Sequence, residues 1–324
     1  MIGTQQIVRV LISSAGRRAA LLQAFRGAGG DSSRVELHAC DLDPGLSAAC
    51  ALADVAHRVP RCTDPTFIPA IDRIVRDHGI DLIVPTIDPE LPAYAASADR
   101  FADAGARVHV SAPGVIHTVR DKLRTMQVLQ RAGVPVPPTW DERAVRASSS
   151  DLRWPLFAKP VAGSASRGLA VLADPDDLPP AFPEPMLFQP CLIGPEYTVN
   201  MFIDQGGALR CTIPHRRLQT RAGEVEKGKT ERRADLARIA SQIHAALPGA
   251  RGVLCFQVID DRETGPRVIE INARFGGGYP LAHHAGARFA DWLVDEVTGR
   301  PCRAHDNWRD GVTMLRFDDA VFQG

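Results

Sequence analysis

The sequence predicts an α/β protein that begins with a parallel β-sheet covered by helices on both faces. Short apolar runs alternate with helical patterns over the first third of the chain, which is typical of a parallel sheet. Helical spacing is clearest over 67–78, where Ile68, Ile71, Ile74 and Val75 fall on one face. The tripeptide at 112–114, Ala-Pro-Gly, then indicates a boundary to a second, strand-rich part.

The elements of the first part follow in order. We expect strands at 7–13, 35–39, 81–85 and 108–110, and helices at 16–26 and 67–78. In such a sheet the ligand-binding loops lie beyond the carboxyl ends of the strands. We therefore expect one rim to contain the loop 13–18, Asp41 with Asp43, and Asp88 with Glu90.

The second part contains more strands than helices. A helix is expected at 121–132, followed by an extended, proline-rich exit at 133–138. Strands at 156–160 and 169–172 flank a loop of small residues, and an irregular proline-rich connection covers 174–185. Further strands are expected at 186–189, 197–203, 209–213, 252–259 and 267–271, with a helix at 232–246.

Length and charge narrow the class of protein. The 324 residues suffice for about two domains, and 38 basic residues balance 38 acidic ones, which argues against a nucleic-acid binder. The sequence contains no apolar run long enough to cross a membrane and no recognisable signal peptide. Seven cysteines without a C-x-x-C pair favour a reduced, cytoplasmic protein.

Lysine is rare in this chain, which otherwise uses arginine as its basic residue. The four lysines are Lys122, Lys159, Lys227 and Lys229. Lys159 ends a predicted strand and precedes a loop, 163–168, of the sequence Gly-Ser-Ala-Ser-Arg-Gly. Small residues let backbone N–H groups approach phosphate oxygens, and an ammonium adds a point charge. By itself this pattern is a weak signal and favours a β-hairpin loop with one exposed lysine.

A stronger pattern occurs at 270–278, Glu-Ile-Asn-Ala-Arg-Phe-Gly-Gly-Gly. Because alternate residues of a strand face the same way, Glu270, Asn272 and Arg274 should project from one side. Carboxylate and amide oxygens suit Mg²⁺, and an adjacent arginine suits a phosphoryl group in transfer. The glycines would bring N–H groups close to a substrate oxyanion. Gln257, on the preceding predicted strand, could add another oxygen.

The order of these motifs resembles the ATP-grasp ligases, in the branch similar to the carbamoyl-phosphate synthase large subunit. The resemblance covers nearly the whole chain. It is carried by the segments 86–91 (TIDPEL), 121–122 (DK), 132–137 (AGVPVP), 158–160 (AKP) with its glycine loop, 188–190 (FQP), 194–197 (GPEY), 256–257 (FQ) and 270–274 (EINAR).

The resemblance implies an N-terminal parallel-sheet domain over 1–113 and an α+β ATP-grasp domain over 114–324, with a small lid at about 123–190. It also implies a set of nucleotide contacts. The basic residues at the phosphates would be Lys122 and Lys159, the latter also catalytic, covered by the loop that includes Gly163, Ser164, Ser166 and Gly168. The adenine-reading hinge would be Gln189, Pro190, Cys191 and Leu192, and Glu196 would hold the ribose.

The metal and transfer residues are implied in the same way. Gln257, Glu270 and Asn272 correspond to the Mg²⁺ ligands, where Mn²⁺ could substitute, and Arg274 corresponds to the catalytic arginine at the transferring phosphoryl group. Much of the superfamily has a glutamate where this chain has Gln257, which removes one anionic ligand. Lys227 is a further expected nucleotide contact. It belongs to a basic segment, 216–230, that resembles a loop facing the active site and could neutralise the triphosphate, although a solvated hairpin is an equal alternative.

The substrate contacts are hypotheses from the residues. We expect Arg274, Gly277 and Gly278 to serve the reacting carboxylate, and Arg217 and Arg221 to bind a second anionic group. Glu90 would bind a substrate ammonium, unless it caps the following helix.

The expected activity is an ATP-dependent, ADP-forming joining of a small carboxylate to an amine through an acyl phosphate. We expect small-molecule partners and neither nucleic acid nor membrane. A homodimer is compatible with the sequence. A non-catalytic ATP sensor on the same fold and a dinucleotide oxidoreductase are the alternatives.

Overall fold

The computed structural model describes residues 5–163 and 167–322. Its first sheet is parallel, as predicted. Its five strands have the order β3-β2-β1-β4-β5. The elements of this region are β1 Gln6–Ser13, α1 Ala19–Arg26, β2 Ser33–Asp41, α2 Ala48–Leu52, β3 Val55–Arg58, α3 Phe67–His78, β4 Leu82–Pro85, α4 Leu91–Ala96, α5 Ala98–Asp103 and β5 Arg107–Val108.

Helix α3 has the predicted bounds because its apolar face is buried. Phe67, Ile71 and Val75 are almost completely inaccessible and pack with Tyr94 and Phe101 from the next two helices. The apolar residues at helical spacing therefore form the face of α3 that packs into a buried core against the sheet.

The rim at the carboxyl end of β1 is also assembled as expected, but α1 begins at Ala19 and not at residue 16. Ser14 and Gly16 both adopt positive φ, which turns the chain before the helix can start. The amide of Gly16 donates to the Asp41 carboxylate at 2.9 Å. The predicted rim loop is thus anchored to the end of β2.

The second part contains two antiparallel sheets. A four-stranded sheet has the order β6-β9-β7-β8, and a six-stranded sheet has the order β14-β13-β10-β11-β12-β15. The elements are α6 Pro113–Arg120, α7 Lys122–Arg131, β6 Trp140–Asp141, α8 Glu142–Ala147, β7 Leu156–Pro160, β8 Ala170–Leu172, β9 Met186–Pro190, β10 Glu196–Ile203, β11 Leu209–Arg221, β12 Glu224–Thr230, α9 Ala234–Ala246, β13 Gly252–Asp261, β14 Gly265–Asn272, α10 Tyr279–Ala285, α11 Phe289–Val297 and β15 Thr313–Leu315.

The six-stranded sheet has one apolar and one polar face. Val199 and Met201 of β10 pack with Leu236 and Ile239 of α9 in a buried cluster. Their neighbours along β10, Glu196, Thr198 and Asn200, point the other way because side chains of a strand alternate. The polar face is therefore available for a site.

The basic segment 216–230 is a β-hairpin and not a loop. Strand β11 runs on to Arg221, and the two residues Ala222 and Gly223, both with positive φ, connect it to β12. Two register shifts bend the hairpin beyond Arg217. Among the described residues, no helix has the length and apolar character needed to cross a membrane.

Candidate functional site

The strand register places the predicted metal ligands side by side on the polar face. Gln257 of β13 lies opposite Glu270 of β14 and opposite Thr198 of β10. Asn272 lies one row further, opposite Cys255. The three oxygen-bearing side chains, Gln257, Glu270 and Asn272, are consequently neighbours on adjacent strands.

Lys159 reaches this face from the end of β7. Its side chain is buried, and Nζ donates to the carbonyl oxygen of Ile269 at 2.9 Å. Burial lowers the pKa of Lys159 to about 8, an effect that Glu270 opposes and Lys122 reinforces. The four-stranded sheet thus places an ammonium group with little solvent exposure beside the row of predicted metal ligands, Gln257, Glu270 and Asn272.

Lys122, the first residue of α7, joins the same group. Its Nζ lies 3.6 Å from a Glu270 oxygen and donates to the carbonyl oxygen of Gly163 at 2.7 Å. The start of the glycine loop is therefore tied to the metal-ligand row. Gly168 closes the loop against Pro160, whose ring atom would lie 2.9 Å from a Cβ at position 168. Ser164 and Ser166, predicted phosphate contacts, lie outside the described residues.

Arg274 is held by an acidic partner from the first sheet. Its Nη2 and Nε donate to one Asp88 oxygen at 2.6 and 3.0 Å, and Nη2 also approaches the Asn272 amide oxygen at 3.2 Å. Both members of the ion pair are mostly buried. Asp88 was expected at the rim but not assigned a site role, because only folding brings residues 186 positions apart into contact.

The predicted hinge and ribose residues border the same face. Gln189 is buried at the end of β9, and its amide nitrogen donates to the Thr139 hydroxyl at 2.9 Å. The amide of Cys191 donates to the carbonyl oxygen of Pro155, and Pro190 pairs with Leu156. Glu196 begins β10 with its carboxylate partly exposed, and burial raises its pKa against the opposing charge of Arg217.

These residues fit a magnesium nucleotide. Magnesium in such sites is typically held by one or two carboxylates together with the phosphates. Glu270 supplies one carboxylate and Gln257 and Asn272 supply amide oxygens, while two ammonium groups lie within reach of the same row. No cluster of three or more histidine, cysteine, aspartate or glutamate side chains able to hold a metal occurs in the described ranges.

The environment of Glu90 contradicts the prediction that this carboxylate contacts a substrate ammonium. Its carboxylate is completely buried and accepts hydrogen bonds from Ser13, Ser14 and the amides of Thr86 and Ile87 at 2.6–3.1 Å. Burial raises its pKa, although all four hydrogen bonds act in the opposite direction. Its carboxylate therefore ties the turn at 86–87 to the residues at the end of β1, and within the described residues it makes no side-chain capping bond to the following helix α4.

We expect Glu90→Ala to lower the free energy of unfolding by about 2–3 kcal/mol, because it leaves several buried donors without an acceptor. Glu90→Gln keeps one carbonyl acceptor and should cost less. Denaturant unfolding measures the stability, and Glu263→Ala at an exposed position is the control. A raised KM with normal stability would restore Glu90 as a ligand.

Of the three hairpin residues predicted to belong to the site, Arg217 lies at the polar face and Arg221 and Lys227 lie further along the hairpin. Arg217 is buried and paired with Glu196 at 3.1 Å, which places it beside the predicted ribose position. Arg221 is half exposed and bound by both oxygens of Asp318 at 2.6 and 2.9 Å. Lys227 is exposed on β12, opposite Gln219 and Leu315. Carboxylates of the chain pair with both cations, and binding of a second anionic group at Arg217 and Arg221 stays a prediction.

The glycine triplet is explained by close packing. A Cβ at Gly277 would lie 2.7 Å from the Glu224 carboxyl carbon, and one at Gly278 would lie 2.6 Å from His215 Nε2. The hairpin β11–β12 therefore covers these two glycines. Contact of their amides with a reacting carboxylate stays a prediction.

The lowered pKa of Lys159 predicts a pH dependence of nucleotide binding. The ammonium form attracts phosphate, and in the free protein it is lost as the pH rises through about 8. We therefore expect ATP affinity to decrease above pH 8 more steeply than in Lys159→Gln, which has no charge to lose. Equal pH profiles by calorimetric titration would contradict this assignment.

Comparison with family models divides the chain into two matches. Residues 182–320 match the model described as ATP-grasp in the biosynthetic pathway with Ter operon. Residues 10–109 match the model described as PylC-like, N-terminal domain. The second match covers the parallel sheet, and the first covers the strands that carry the polar face.

Individual proteins of known activity and solved structures are also similar to this chain. A formate-dependent phosphoribosylglycinamide formyltransferase from Synechococcus sp. (strain CC9605) is 29% identical over 148 residues, 44% of this chain, and the chain covers only 36% of that relative's length. The biotin carboxylase domain of Hydrogenobacter thermophilus 2-oxoglutarate carboxylase, solved with MgADP and bicarbonate, superposes with a TM-score of 0.73 at 20% identity over 95% of this chain and 74% of that one. An L-amino acid ligase from Bacillus licheniformis gives 0.69 at 16% identity over 96% and 79%. At these identities the solved structures establish the fold.

Proposed function

We propose that the chain, whose residues 10–109 match a PylC-like N-terminal domain model and whose residues 182–320 match an ATP-grasp model, is an ADP-forming carboxylate–amine ligase with ATP and Mg²⁺ as its cofactors. The observation that supports this most is the convergence of Lys122, Lys159, Glu270 and the Arg274–Asp88 pair on one face. Phosphate binding, metal binding and charge stabilisation at a transferring phosphoryl group are the three functions that this set can supply.

In the proposed reaction a carboxylate oxygen attacks the γ-phosphorus of ATP, and ADP leaves. Lys122 and Lys159 would hold phosphate oxygens, and Mg²⁺ held by Gln257, Glu270 and Asn272 would neutralise part of the phosphate charge. Arg274 faces the transferred group. Asp88 keeps it in place by accepting hydrogen bonds from two of its N–H groups. The amine then attacks the acyl carbon, loses a proton, and releases phosphate.

The surroundings of the polar face would also help to exclude water from a bound nucleotide. Lys159 and Asn272 are less than a tenth exposed, and the loop that starts at Gly163 is tied to Lys122. A nucleotide covered by this loop would be shielded from solvent. Shielding protects an acyl phosphate from hydrolysis before the amine arrives.

The decisive experiment measures ADP release from ATP and Mg²⁺ with a panel of amino acids and small carboxylates, offered singly and in pairs. Mass spectrometry then identifies the joined product. ADP release that needs both a carboxylate and an amine supports the ligase. Tight ATP binding with no release for any pair would favour a sensor, and binding of a nicotinamide dinucleotide in place of ATP would favour an oxidoreductase.

A further inference from the structure

A second charged cluster lies where the tip of the β11–β12 hairpin meets the loop after β1 and the segment after β15. Glu224, the first residue of β12, places one oxygen 3.3 Å from Arg18 Nη1 and the other 3.2 Å from Arg316 Nη1. Arg316 also donates to the carbonyl oxygen of Gly277. One carboxylate of the chain therefore bridges two guanidinium groups from distant parts of the sequence.

The cluster carries more positive than negative charge. Arg274 lies close enough to act on it electrostatically, and its own carboxylate partner is Asp88, so three guanidinium groups face two carboxylates. Burial lowers the pKa of Arg18, Glu224 opposes this, and the charges of Arg274 and Arg316 lower it further. About a third of the Glu224 and Arg316 side chains and a fifth of Arg18 remain exposed, so solutes can reach the cluster.

Unsatisfied polar atoms next to the cluster point independently to a ligand. His215 is completely buried, and its Nε2 has no hydrogen-bond partner in the described part of the chain. The same is true of the Asn200 amide oxygen. A Cβ at Gly278 would meet His215, one at the adjacent Gly277 would meet the Glu224 carboxylate, and one at Gly276 would lie 3.6 Å from the Asn200 amide oxygen. Buried polar atoms without partners are rare and typically mark a position for water or a ligand.

We propose that Arg18 and Arg316 bind an anionic group of the substrate, a carboxylate or phosphate distinct from the carboxylate that is activated, and that Glu224 occupies this position until substrate binds. The inference rests on the proposed function, because it assigns part of the substrate of the same site. Arginine forks match the planar oxygens of either anion. The exchange of one anion for another keeps the charge of the cluster balanced, and Glu224 directly follows a two-residue turn.

Calorimetric titration can test this without turnover. Glutarate provides a second carboxylate, phosphoglycolate provides a phosphate, and butyrate provides neither. Each is titrated into the full chain with and without MgADP. The variants are Arg316→Gln, Arg316→Lys and Glu224→Gln, and the controls are Arg153→Gln and Glu263→Gln, which affect an exposed ion pair elsewhere. Thermal unfolding of each variant verifies that it is folded.

We expect the wild type to bind glutarate or phosphoglycolate at least about tenfold more tightly than butyrate, the scale of one charge-assisted hydrogen bond. The tighter of the two identifies the substrate group. Arg316→Gln should abolish the preference, Arg316→Lys should retain part of it, and Glu224→Gln should strengthen binding because the internal competitor loses its charge.

Two results would overturn the inference: equal binding of all three probes, or weaker binding by Glu224→Gln. MgATP titration of the same samples separates this failure from that of the proposed function. Normal MgATP binding with no dependence on Arg316 removes only the anion site. Absence of MgATP binding by the wild type removes the ligase proposal.

Discussion

Glu270→Gln is expected to abolish ligase turnover while the protein remains folded. Glu270 is the only carboxylate among the three predicted metal ligands, which share adjacent rows of β13 and β14. Its loss removes the anionic oxygen and leaves two neutral amides. We expect the rate to fall by about a thousandfold or more, the scale at which single charged groups act in phosphoryl transfer.

The fold should tolerate this change. A quarter of the Glu270 side chain is exposed, and its ion pair with Lys122 spans 3.6 Å, so glutamine can replace it at little cost in stability. Glu263→Gln, at an exposed carboxylate paired with Arg153, is the matched control. Steady-state kinetics at saturating Mg²⁺ decide the outcome. Near-normal turnover under those conditions would exclude Glu270 from the site.

Lys159→Arg should weaken ATP binding even though the chain uses arginine almost everywhere else. The Lys159 ammonium is buried, and its Nζ is fixed by the Ile269 carbonyl oxygen at 2.9 Å. A planar guanidinium is larger and cannot take the same position without displacing the strand end. We expect a loss of about 1–3 kcal/mol, the range for hydrogen bonds to charged groups.

Lys229→Arg provides the comparison, because Lys229 is exposed on β12 and should accept the substitution without effect. Calorimetric titration with MgATP gives both affinities directly. Unchanged affinity in Lys159→Arg would mean that this ammonium does not contact the nucleotide. A loss of affinity in both variants would indicate a general effect of bulkier basic side chains.

The two variants also test the electrostatic coupling between these groups. The negative charge of Glu270 raises the pKa of Lys159. In Glu270→Gln the pKa of Lys159 should therefore fall further below its ordinary value. ATP affinity at pH 8 should then decrease together with turnover.

Local patterns were sufficient to predict most elements and the row of site residues. Helix α3 has the expected bounds, and β7 was predicted to the residue. The Glu-x-Asn spacing determined which side chains share a face of β14, because alternation is a property of any strand. The resemblance to ATP-grasp ligases, inferred from the order of motifs, agrees with the match of residues 182–320 to an ATP-grasp family model.

Assignments that depend on what a side chain meets in space could not be made in the same way. Glu90 was expected to face a substrate, yet donors from the loop after β1, some 76 residues away, enclose it. Arg221 was expected to bind an anion, yet Asp318 from the C-terminal segment holds it. In both cases the charged residue was evident in the sequence, whereas the groups that pair with it in the folded chain come from distant segments.

The sequence by itself therefore determined the parallel sheet, the strand carrying Glu270 and Asn272, and the resemblance to the ATP-grasp ligases. Periodicity and short motifs encode these features, and neighbours along the chain are sufficient to read them. Only the tertiary structure decided that Asp88 holds Arg274 and that Glu224 bridges Arg18 and Arg316. Ion pairs depend on distances between charges, and those distances are set when distant segments pack together and exclude water.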